Sequence, residues 1–267
     1  MRVKPIAAIL LRQGYLLRGS PVRALPMFAW VGIDIVLWGF ISRFLNKVSA
    51  AGIDFTTVFL GAVLLWDLCG RVMQGLTTAF LEDVWSRNFL NLFASPLTIS
   101  EYVAGLVLAS IATSVIGLAV MLALAVPFFG LSLFALGTHL LLFLVVLYGF
   151  GVALGILASA MVLRFGPASE WLVWPIPALL SPFCGVFYPL TVLPVWMQAI
   201  AHALPPSYVF EGMRALLDGR PFEPLAAASA VVLTVLEIAL AGYYFVRVYR
   251  RAVRTGLLAR YSAETVS

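Results

Sequence analysis

GVFYPLTVLPVWMQAIAHALPPSYVFEGMR, residues 185–214, is apolar enough to enter a bilayer and too broken to cross one. Prolines at 189, 194, 205 and 206 each lack a backbone N–H and fix φ, so an uninterrupted spanning helix of about 20 residues does not fit here. Irregular backbone at membrane depth is tolerated only where protein buries it or water reaches it. The stretch therefore reads as a kinked, non-crossing segment, in the position of a gate, between two hydrophobic spans.

Composition supports a membrane setting for the whole chain. Of 267 residues, 63% are hydrophobic and 11% charged, and the mean hydropathy is +1.04. Soluble domains are about 45–50% apolar. The sequence predicts an all-α integral membrane protein with six transmembrane helices, over about 24–45, 55–79, 102–128, 132–163, 171–187 and 224–247. These form a single transmembrane domain over residues 1–267, with four accessory pieces. They are an interfacial elbow helix over 1–22, an inner segment over 80–100, an outer segment over 185–223 and a basic tail over 248–267.

Charge orients the spans. Arg2, Lys4, Arg12, Arg18 and Arg23 precede the first, and Arg247, Arg250, Arg251, Arg254 and Arg260 follow the last. With both termini inside, those ten plus Arg71, Arg87 and Arg164 place 13 of the 17 Lys and Arg on the inner side. Arg43, Lys47, Arg214 and Arg220 are the 4 outside, a strong positive-inside bias. The net charge of +5 is then accounted for by anionic membrane lipids, with no need of nucleic acid. Residues 2–19 are not a cleavable signal, because Arg12 interrupts the apolar core. Ile6, Ile9, Leu10, Leu16 and Leu17 interleaved with Arg12 and Arg18 suit a helix lying in the interface plane.

Several chemistries are excluded. No GxxxxGK(S/T) phosphate loop, HExxH or paired Cys or His at metal spacing occurs, and His139 and His202 complete no Ser, His, acid arrangement. The chain reads as holding no catalytic or metal site and no cofactor of its own. Cys69 and Cys184 fall on opposite halves of the bilayer and read as packing residues.

Ionisable groups inside the spans need reasons, since one at the bilayer centre costs at least about 2.5–3.5 kcal/mol. Asp34 has Trp30 and Trp38 four residues to either side, all on one helical stripe. This stripe either lines a pathway or reflects an acid bonded to a neighbouring helix between packed tryptophans. Asp67 and Arg71, acid first at i, i+4, read as a structural ion pair. Glu237 lacks a base nearby in its own helix, so it either pairs across helices or faces the pathway.

The inner connection runs FLEDVWSRNFLNLFASPLTISEYVAG, residues 80–105. A mixed-charge start (Glu82, Asp83, Arg87), apolar Phe89, Leu90, Leu92 and Phe93, a Ser95, Pro96 break and an N-cap at Thr98 or Ser100 describe a short amphipathic inner helix. It either tucks against headgroups or docks a cytosolic partner.

Glu82 and Asp83 followed by Ala94, Ser95, Pro96 and Leu97 resemble the membrane subunits of type 2 ABC exporters. So does the late pattern of Tyr188, Pro189, Leu193, Pro194, Trp196, Pro205, Tyr208, Glu211 and Arg214. The chain departs from that family where a Gly, Thr pair is common and Arg87, Asn88 and Phe89 stand instead.

The resemblance implies a half-transporter in a bacterial-type inner membrane. Two copies of the chain would pair with two copies of a separate ABC ATPase that holds ATP and Mg, and a lipid, glycolipid, drug or polysaccharide would move outward. On this reading Glu82, Asp83, Trp85, Arg87 and Asn88 form the coupling helix that meets the ATPase. Tyr188, Pro189, Pro194, Trp196 and Tyr208 form the outer gate on re-entrant outer helices, while Trp30, Asp34, Trp38 and Glu237 face the pathway. The same three aromatics would otherwise mark the interface with lipid headgroups. An ion-coupled carrier or a non-transporting membrane scaffold are the readings it displaces.

Overall fold

The computed structural model describes residues 2–19, 21–48, 55–86, 96–166 and 169–255, and the regular structure among them is helical throughout. Helix α1 (Val3–Gly19) leads into α2 (Pro21–Val48). A π-helical turn (Thr56–Leu60) opens α3 (Gly61–Trp85), followed by α4 (Ile99–Phe129) and α5 (His139–Phe165). Two short helices, α6 (Glu170–Val173) and α7 (Ile176–Leu180), precede α8 (Val195–Ala201), α9 (Pro205–Leu217) and the long α10 (Pro224–Arg254).

Among the described residues four helices are long and apolar enough to cross a membrane: Thr56–Val84, Ile99–Phe129, His139–Phe165 and Pro224–Arg254. Even α5, with 27 residues, reaches roughly 40 Å at about 1.5 Å per residue, beyond a hydrocarbon core of about 30 Å. Helix α2, 28 residues long, is not one of the four.

The structure differs from the expected spans at three places. Residues 171–187 were expected to form one crossing helix but make α6 and α7 followed by turns. Pro175 and Pro177 remove two amide donors within three residues, which a hydropathy average does not register. The span expected from 132 begins at His139, after a 3-10 turn over Leu133–Leu136. Helix α3 runs past the expected end at 79 through Trp85, so Glu82 and Asp83 belong to its last turns rather than to a separate helix. The rest of the expected amphipathic helix, residues 87–95 with Arg87 and Asn88, lies outside the described residues.

Helix α3 is the buried centre. Leu64, Leu65, Leu68, Val72 and Met73 have no exposed surface, and α4 and α5 pack on either side of them. Close approach of α5 depends on Gly151 and Gly155, one turn apart. A Cβ at Gly151 would stand 2.7 Å from the Cys69 carbonyl oxygen, and one at Gly155 3.2 Å from that of Met73. Small residues at this spacing let helix backbones meet where lipid supplies no hydrophobic drive.

Two cores result. One, at the end where α1 sits, joins Ile9, Phe80, Tyr102, Phe150 and Phe245. The other, at the opposite end, joins Leu60, Leu64, Phe143, Phe210 and Met213. The outer face of α10 leaves Val232, Val235, Leu236, Leu240 and Tyr243 uncovered, as a lipid-facing helix does.

Candidate functional site

At the α1 end the chain ties itself across both flanks of the inner connection. Asp83, with no exposed surface, accepts hydrogen bonds from both Arg12 Nη atoms, one of them at 3.0 Å, and from the Tyr102 hydroxyl at 2.7 Å. The carboxylate and this hydrogen bond hold the Arg12 pKa above its ordinary value. Ten residues earlier, Arg2 donates from its backbone N (2.8 Å) and side chain (3.1 Å) to Glu101, and from Nη2 to the Pro96 carbonyl.

Glu101 is itself fixed by the sequence around it. Thr98 is the N-cap of α4: its Oγ1 accepts from Glu101 N at 3.3 Å, and Glu101 Oε2 accepts from Thr98 N at 3.1 Å, a complete capping box. Helix α1 lies against α4 because Gly105 carries no side chain; a Cβ there would stand 2.6 Å from Ile9 Cβ. The α1 helix and Arg2 ahead of it thus fasten the end of α3 and the start of α4 together.

Of the residues assigned to coupling, Asp83 faces inward to Arg12 and Tyr102, while Glu82 lines a cavity. Trp85 is described only as helical backbone.

At the opposite end a second set of bonds closes the proline-rich segment. Glu211 Oε1 accepts from Leu190 N at 2.8 Å and from Arg214 Nη2 at 2.9 Å, and Arg214 Nη2 also donates to the Gly185 carbonyl at 2.7 Å. The i, i+3 pair on α9 is therefore also a clasp on the backbone of residues 185–190. Pro189 caps the 3-10 turn Leu190–Val192, and Pro194 caps α8 with its carbonyl accepting from Gln198 N at 3.0 Å. The Tyr188 hydroxyl donates to the Pro182 carbonyl and that of Tyr208 to the His202 carbonyl, both at 2.9 Å. Trp196 is exposed, with its ring edge against Phe183.

Between these ends lies a cavity of about 570 Å³, bounded by α1, α2, α3, α4 and Trp174. Asp34, Asp67, Arg71 and Gln74 are among the side chains lining it. Arg71 Nε donates to Asp67 Oδ2 one turn away. Asp34 makes no hydrogen bond or ion pair with a described residue. The expected stripe is split: Trp38 stacks on Phe187 with centroids 5.1 Å apart, Asp34 faces the cavity, and Trp30 is described only as helical backbone. Glu237 stands apart on α10, with Oε2 buried and without a hydrogen-bond partner.

Among the described residues no group of three His, Cys, Asp or Glu is placed to hold a metal ion, and Cys69 and Cys184 are buried free thiols.

Residues 22–217 match the sequence pattern of the ABC-2 type transporter, a stretch that takes in both flanks of the inner connection, the cavity acids of α2 and α3, and the clasp on α9. The chain belongs to the ABC-2 type transporter family. Among curated proteins none matches it.

As an ABC-2 permease the chain is a multi-pass membrane transport protein that lacks ATPase activity and pairs with an ATPase. Its helix α1 lies wholly ahead of the matched residues, so the bonds from Arg2 and Arg12 join a segment outside the family pattern to the permease domain. The sequence reading missed Arg12, Tyr102 and Gln13. Gln13 did carry a signal, since it falls four residues after Ile9 on the apolar stripe of α1, where a polar side chain is out of place.

Proposed function

We propose that the permease is the transmembrane half of an ATP-driven exporter, two copies of which assemble with two copies of a separate ABC ATPase. It moves a lipid, glycolipid, drug or polysaccharide outward across a bacterial-type inner membrane. The observation that carries this reading is the family match over residues 22–217, which spans the inner connection and the outer segment together. In this account α2 and the broken segment 170–187 complete six crossings, and both termini and the α1 end face the cytoplasm.

The geometry supplies a route for force. ATP-driven closure of the ATPase reaches the permease at the connection following Glu82, Asp83 and Trp85, where Arg87 and Asn88 also lie. Because Arg12 holds the end of α3 and Arg2, just ahead of α1, holds the start of α4, α1, α3 and α4 move as a unit. A packed unit of this kind has discrete positions, which is what a switch between two states requires. At the far end, Tyr188, Pro189, Pro194, Trp196 and Tyr208 form a lid held by Glu211 and Arg214, and Trp38 stacked on Phe187 links α2 to it.

Proteoliposomes carrying the permease and its ATPase test the reading. ATP hydrolysis and ATP-dependent cargo movement that both require the permease support it. Movement driven by an ion gradient without ATP overturns it in favour of an ion-coupled carrier.

A further inference from the structure

The cavity beneath α1 has chemistry that neither packing nor the coupling route uses. Among the described residues three acids, Asp34, Asp67 and Glu82, line it with one base, Arg71. Arg71 pairs with Asp67 and its charge also acts on Asp34, so one base serves two acids in an environment where an uncompensated acid is costly. A second group points to a ligand independently. Gln13, on another helix, is only 7% exposed, lines the same cavity, and its Nε2 is buried without a hydrogen-bond partner. A buried amide donor with nothing to donate to is expensive, and native structures seldom leave one without a use.

The remaining surface is mostly apolar, with Leu16, Leu17, Ala79, Ala109 and Trp174 among its walls. The excess of acid over base among the described lining residues disfavours an anionic ligand. We infer that this cavity binds a hydrophobic organic cation bearing an acceptor oxygen, its positive group beside Asp34 and its oxygen accepting from Gln13 Nε2. The cation supplies the positive charge that Asp34 must otherwise share with Asp67, the oxygen satisfies the orphaned amide, and the apolar body covers the walls. The inference rests on the transporter reading for its meaning, as the cargo class of the site, but the binding itself requires no ATPase.

The test uses the full chain in lipid nanodiscs without ATPase, with fluorescence anisotropy as the readout. The probes are rhodamine 6G, a xanthene cation with an ethyl ester, and fluorescein ethyl ester, a related xanthene that lacks the positive charge and is anionic at neutral pH. The expected result is saturable rhodamine 6G binding at least about tenfold tighter than that of the dye without the positive charge. Asp34→Asn abolishes the preference, and Asp34→Glu, which keeps the charge, retains it and serves if Asp34→Asn does not fold. Gln13→Leu weakens both dyes severalfold and leaves the preference between them intact.

Equal affinity for the two dyes, a preference that survives Asp34→Asn in monodisperse protein, or no saturable binding of rhodamine 6G overturns the inference. Cation binding in a permease that supports no ATP-driven movement would refute the exporter reading alone.

Discussion

Removing the Asp83 carboxylate tests whether the α1 end is held as one piece. Asp83 is fully buried and serves Arg12 and Tyr102 at once. Deleting one partner of a buried pair costs about 3–5 kcal/mol, mostly by leaving the other charge uncompensated. Here the Arg12 side chain is 27% exposed, so its head can turn to water and the lower end of that range applies. The Tyr102 hydroxyl, buried and deprived of its acceptor, adds about 1 kcal/mol or more. Asp83→Leu is therefore expected to destabilise the permease by about 3–4 kcal/mol. Tyr102→Phe, which leaves the Arg12 pair intact, should cost about 1 kcal/mol.

Arg12→Met combined with Asp83→Leu removes both charges together, and the double variant is expected to recover about 2 kcal/mol relative to the sum of the singles. The assay is reversible unfolding by SDS in mixed micelles, followed by tryptophan fluorescence. Additivity of the Arg12 and Asp83 changes within about 0.5 kcal/mol would refute the reasoning, because it would mean that the two groups do not interact in the folded protein.

Three further outcomes follow from the geometry. Gly105→Val puts side-chain atoms where Ile9 Cβ stands 2.6 Å from an ideal Cβ, so α1 should lift from α4; tryptic cleavage at Arg12 and Arg18 should accelerate at a stability cost of about 1–3 kcal/mol. Thr98→Ala removes the acceptor for Glu101 N, which should cost about 1 kcal/mol and lower the melting temperature by a few degrees in a thermal scan. Glu211→Ala leaves Leu190 N–H without its acceptor, and hydrogen exchange should rise across residues 185–193 while α3 and α5 keep their protection.

What the sequence revealed is what lies close together along it. Asp67 and Arg71 are one helical turn apart, so their pairing follows from helix geometry alone, whereas the N-cap was left open between Thr98 and Ser100 and the structure assigns it to Thr98 with Glu101. The Asp83 bond to Arg12 joins residues 71 apart, and no local pattern encodes which base an acid will meet across helices. Glu211 and Arg214 were visible as a pair, but their bonds to Leu190 N and the Gly185 carbonyl depend on how the loop folds back. Hydropathy located the long helices yet read residues 171–187 as one continuous helix, because averaging hides Pro175 and Pro177, which break it. The length of α3 was not legible, since nothing between 79 and Trp85 breaks a helix.

The central claim is that force enters through the connection after α3 from a separate ATPase. Its most direct test is purification of the tagged permease from its native membrane in mild detergent, with mass identification of bound subunits and measurement of ATP hydrolysis. The account predicts a stoichiometric ATP-hydrolysing subunit that is lost when Glu82, Trp85 and Arg87 are replaced by alanine. A permease that purifies without any nucleotide-hydrolysing partner, or one whose partner remains bound and active after those replacements, would contradict it.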